Sequence, residues 1–196
     1  MIGIIKVFSF ALLFHVLIPS VALAQSTSQK TLGFVFGYGD QRQLGVNYYH
    51  HVVFYKLHYG RNVISKNALI LDMVIQPQYN VTEFRRVNSE PEKTDAFEFG
   101  VNVGLQLKLK LIPDFFNCYV MISTGPHYVS GVPKRQNEGF LFSDNIISGV
   151  NINLTQNTIL DLNYGIRHIS NAGLRSSNGG INNIIGGIGV LFKLNK

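Results

Sequence analysis

Apolar and polar residues alternate along most of this chain, and the period is two. The clearest stretch is 97–110. Its odd positions read Phe97, Phe99, Val101, Val103, Leu105, Leu107 and Leu109, and its even positions are all polar or glycine. Strict alternation places one kind of residue on each face of a β-strand. Fourteen residues of it exceed the five or six of an ordinary soluble strand and match a tilted strand that crosses a membrane. The same pattern recurs from Leu32 to Tyr38, around 53–59 and 69–76, and then over 118–128, 140–154, 159–170 and 183–194. Eight strands in a short chain predict an all-β fold, an eight-stranded antiparallel up-and-down transmembrane β-barrel.

Connection lengths orient the barrel. With the N-terminus periplasmic, the links 61–67, 112–115 and 155–157 fall on the periplasmic side and are short. The links 40–50, 85–94, 131–139 and 171–182 fall outside and are longer, the usual asymmetry of such barrels.

The N-terminus changes the picture of where this happens. Residues 1–6 carry one positive charge, 7–18 are mostly apolar, and 19–24 end in Ala22-Leu23-Ala24. This is the tripartite pattern of a secretory signal peptide cleaved before Gln25, and its apolar core is too short to span a bilayer as a helix. Residues 1–24 are therefore expected to be removed, leaving 25–196 as a single barrel domain in a bacterial outer membrane. One cysteine, Cys118, excludes an internal disulfide framework. The net charge of +6 comes without a Lys/Arg run and so suits an anionic membrane surface rather than nucleic acid. No metal-ligand spacing, phosphate loop or nucleotide fingerprint is present. His50 and His51 point to opposite faces, and His58 and His127 fall on the lumenal parity.

One strand breaks its own rule. On 159–170 the odd positions Asp161, Asn163, Gly165 and Arg167 belong to the lumen. The even ones, Leu160, Leu162, Tyr164 and Ile166, face lipid and lead into His168 and Ser170. Asn182 has the lipid-facing parity of the next strand. Polar side chains against lipid are costly, so they call for a reason. Nucleophilic acyl transfer supplies one: a serine needs an imidazole to take its proton and a third group to orient that imidazole. Residues i and i+2 share a face at about 6–7 Å, within reach of a His–Ser hydrogen bond. A wet interfacial rim would explain the same two residues without chemistry.

The run His168-Ile-Ser170-Asn171-Ala172-Gly173-Leu174, followed by Asn178-Gly-Gly180-Ile-Asn182, resembles the lipid A 3-O-deacylase (PagL) family, also described as acyloxyacyl hydrolases. The resemblance implies an outer-membrane serine esterase that needs no cofactor and hydrolyses an ester-linked 3-hydroxyacyl chain of lipid A in lipopolysaccharide. It makes Ser170 the nucleophile and His168 the general base. The family's acidic triad member falls on Asn182, a departure. Either this amide orients His168 or another carboxylate does, and Asp144 is the candidate: a tight 155–157 turn places it opposite His168. Asn171 and the Gly173 N–H are the expected oxyanion donors, and Asn178 a further one. Arg42, Arg85, Arg86, Lys93, Lys134, Arg135 and Arg175 lie in outer links where lipid A phosphates would sit. A non-catalytic barrel, structural or adhesive, stays open because of Asn182. So does an acyltransferase of equal strand count, although the Asn-Ala-Gly context argues against it.

Overall fold

The computed structural model describes residues 29–87, 89 and 91–194, so the expected signal peptide lies outside the described residues. Eight strands follow in order: β1 (Lys30–Asp40), β2 (His50–Lys66), β3 (Leu69–Phe84), β4 (Thr94–Ile112), β5 (Phe116–Val129), β6 (Gly139–Asn153), β7 (Thr158–Ser170) and β8 (Ile181–Leu194). Each pairs antiparallel with its neighbours, and β1 closes on β8. One 3-10 turn, Arg42–Leu44, interrupts the first outer connection.

Alternation decides which face each residue takes, and the barrel is polar inside. Lys56, Gln76, Asn80, Glu98, Gln106 and Arg167 are buried in the lumen, while Phe34 and Ile146 are about 70% exposed on the wall. That inversion suits a hydrocarbon surround, where closure leaves no strand edge unpaired. The lumen is filled. Near the outer end Val129, Val132, Leu141, Ile169 and Ile181 form an apolar plug with Tyr48. Just below it Glu98 accepts from Arg167 Nη2 at 2.5 Å and from Asn80 Nδ2 at 2.7 Å.

One connection is shorter than the pattern predicts. Residues 61–66 continue β2, and the turn to β3 is confined to Asn67 and Ala68, with Asn67 at φ 55°. A register shift between Asn62 and Ile64 breaks the alternation there, which is why the segment reads as a loop. The other connections agree with expectation to within a residue or two.

Register fixes how the wall spirals. Stepping sideways from Ser170 leads to Phe142, Pro126, Val101, Pro77, Leu57, Phe34 and Val190, and returns to β7 at Leu160. The row has dropped ten residues in one circuit, so it begins at the outer rim and descends across the bilayer as strand tilt requires.

Candidate active site

β7 reaches the outer rim with Arg167 and Ile169 buried in the lumen, so His168 and Ser170 stand on the outer wall. His168 and Asn182 are direct cross-strand partners. From the other side Asp144 faces His168 and Phe142 faces Ser170, the register expected of a tight 155–157 turn.

His168 Nδ1 lies 2.6 Å from the carboxamide oxygen of Asn182. An amide oxygen only accepts, so Nδ1 carries a hydrogen, and in the neutral imidazole that leaves Nε2 as the acceptor. Asp144 makes no hydrogen bond to the imidazole. Its carboxylate accepts from Thr124 Oγ1 at 2.5 Å, toward β5. Of the two groups considered for orienting His168, Asn182 is the one in contact. Ser170 is buried to 9% exposure, and its hydroxyl forms no hydrogen bond among the described residues.

The chain turns sharply after Ser170, with Ala172 at φ 54° and Gly173 at φ 80°. Asn171 is fully buried and builds this turn. Its N–H donates to Asn178 Oδ1 at 2.9 Å, its Nδ2 donates to the Arg175 carbonyl at 3.2 Å, and its Oδ1 accepts from Gly173 N–H at 2.9 Å. Asn171 and Gly173, expected to donate to an oxyanion, thus direct those hydrogens into the loop. An asparagine bonding backbone two residues on is a common turn former, which the expectation overlooked. The Ala172 N–H between them has no hydrogen-bond partner among the described residues.

Three supporting residues escape the sequence pattern. The Tyr48 hydroxyl accepts from Asn182 N–H at 2.6 Å and donates to the Asn182 carbonyl at 3.0 Å. Burial pushes its phenol pKa up, so it stays a donor. Gly180 sits at φ 63° with its N–H on Gln136 Oε1 at 3.0 Å, and a Cβ there would run into His168 Cε1. Tyr48, Gln136 and Gly180 come from separate outer loops, and no local motif marks Tyr48 or Gln136. Only the glycine in Asn-Gly-Gly hints at a constrained backbone.

The outer loops are tied together around the site. Gly179 N–H donates to the Arg135 carbonyl at 2.9 Å, and Arg135 Nη2 returns to the Gly179 carbonyl at 2.5 Å. Arg175 donates to the carbonyl of Glu138 at 2.8 Å. Arg42 and Lys93 are paired with Asp40 and Glu83.

A family profile for lipid A 3-O-deacylase (PagL) matches residues 55–190. Among solved structures the chain is similar to the crystal structure of the outer membrane enzyme PagL, at 16% identity and a TM-score of 0.54, covering 85% of this chain and 99% of that one. It is also similar to Neisserial surface protein A, at 15% identity and a TM-score of 0.46, covering 86% and 98%. No curated protein matches it in sequence.

Proposed function

The chain belongs to the lipid A 3-O-deacylase (PagL) family, and on that premise we propose that it is an outer-membrane esterase that removes an ester-linked 3-hydroxyacyl chain from lipid A. Ser170 Oγ attacks the ester carbonyl as its proton passes to His168 Nε2. Asn182 Oδ1 holds the Nδ1 hydrogen and so fixes the tautomer. The tetrahedral intermediate expels the sugar hydroxyl, which takes the proton from His168. Water, deprotonated by the same nitrogen, then cleaves the acyl-serine and releases the 3-hydroxy fatty acid. The unengaged Ala172 N–H, two residues past the nucleophile, is the backbone donor assigned to the oxyanion; Gly173 N–H joins it only if the Asn171 side chain turns away.

The observation that carries this reading is the 2.6 Å His168–Asn182 contact, on the wall where Ser170 also stands. The site opens sideways onto the outer leaflet, where a lipid ester is presented. The loop cations Arg85, Arg86 and Lys134 suit the phosphates of such a lipid. No cofactor or metal is assigned a part. Export is assigned to residues 1–24, and N-terminal sequencing of the membrane-inserted protein is expected to begin at Gln25.

Purified protein in detergent, given lipid A, is expected to release free 3-hydroxy fatty acid. Release by a Ser170→Ala variant at the wild-type rate would remove the serine from the mechanism.

A further inference from the structure

Beyond the rim, one feature of the wall is not used by this chemistry. Six aromatic residues form an unbroken cross-strand row over six strands: Phe140, Tyr128, Phe99, Tyr79, Tyr55 and Phe36, each paired with the next. The parallel row two residues further from the outer end is much lower, reading Pro126, Val101, Pro77 and Leu57, with Phe142 and Phe34 at its ends. A groove of about 730 Å³ lies beneath the aromatic ridge, over this low row.

The two prolines are costly where they stand. Proline brings no N–H to a ladder and is ordinarily kept out of central strands. The β2–β3 pairing is interrupted at Leu57/Pro77 and the β4–β5 pairing at Val101/Pro126, with register unchanged on either side. In hydrocarbon an unmatched backbone group has no water to turn to. Proline costs wall integrity here while keeping the row compact and apolar.

One strand position, Phe142, separates the groove from the candidate site. Pro126 pairs with Phe142, and Phe142 pairs with Ser170. With strands about 4.8 Å apart, its near end is about 10 Å from the serine and Pro77 about 19 Å. A hydrocarbon chain in contact with its neighbour occupies about 4–4.5 Å. The groove is therefore two to four chain widths to the side of a scissile chain that runs down β7 from Ser170. It is the right distance for the other chains of one multiply acylated lipid.

We propose that this proline-floored groove on β2–β5 seats the non-scissile acyl chains of the glycolipid whose ester lies at Ser170. The inference rests on the deacylase reading, and two arms keep their failures apart. The first uses the absence of tryptophan from the chain. In a Ser170→Ala background, Phe99→Trp on the ridge and Val120→Trp away from the groove are each placed in vesicles of brominated phosphatidylcholine. Adding unbrominated hexa-acylated lipid A should relieve quenching at least twofold for Phe99→Trp and leave Val120→Trp unchanged. Equal relief at both, or none at either, overturns the groove. The second arm fills the groove with Val101→Trp. Its kcat/KM should fall at least fivefold on hexa-acylated lipid A and less than twofold on a single-chain ester. Equal losses on both, or no loss on lipid A, overturn the proposal. If instead wild type and Ser170→Ala release no different amounts of fatty acid, it is the deacylase reading that fails, whatever the quenching shows.

Discussion

His168 Nδ1 stands 2.6 Å from Asn182 Oδ1, across a directly paired position of β7 and β8. A neutral acceptor fixes the imidazole as a carboxylate would, but it stabilises the imidazolium less. Removing it in Asn182→Ala is expected to lower kcat about 100-fold, and Asn182→Asp to raise kcat about tenfold. Asp144→Asn, which leaves the His168–Asn182 bond intact, should stay within about threefold of wild type. Steady-state hydrolysis of lipid A by the three variants checks the assignment. An Asn182→Ala enzyme with unimpaired kcat would sink it.

Tyr48 clamps Asn182 through both of its backbone polar groups. Tyr48→Phe deletes two hydrogen bonds worth about 1 kcal/mol each while keeping the ring in the apolar plug. Expect kcat to fall roughly tenfold with KM little changed, since a misplaced acceptor weakens the reaction more than binding. A change confined to KM would place Tyr48 in substrate contact instead.

Gly180 lies against the His168 ring at positive φ. Gly180→Ala adds a Cβ where the ring stands and strains the backbone by about 1 kcal/mol. It should cost more than tenfold in kcat while the barrel still folds, as judged by heat-dependent gel mobility. Full activity would show that the ring has room to move.

In the lumen, Glu98 and Arg167 form a fully buried ion pair with Asn80 and Ser143 completing it. Glu98→Ala strands a guanidinium and should destabilise the barrel by about 3–5 kcal/mol. Urea unfolding in lipid vesicles measures this. A loss under about 1 kcal/mol would mean that water reaches Arg167 freely.

The architecture was legible because a membrane barrel writes its two solvents into alternate residues. Stretch 97–110 shows it without ambiguity, and the parity of His168 and Ser170 followed directly. The register opposite Asp144 was legible too, since one short turn fixes it. What stayed hidden depends on contacts between distant segments. Tyr48 meets Asn182 across 134 positions, and nothing near Tyr48 announces it. The Asn171 turn is hidden for a different reason: its side chain satisfies its own loop, a local competition that residue type alone does not resolve. The tightness of the 67–68 turn was masked by the bulge at Asn62, which breaks the alternation that marks a strand.

The central claim is that Ser170 cleaves an acyl ester of lipid A. Mass spectrometry of lipid A from cells producing wild type or Ser170→Ala tests it most directly. Wild type should shift the spectrum down by one 3-hydroxyacyl group, and Ser170→Ala should leave it unaltered. An unchanged spectrum in both would point to a structural barrel, a gain of acyl mass would point to a transferase, and either result would contradict the account.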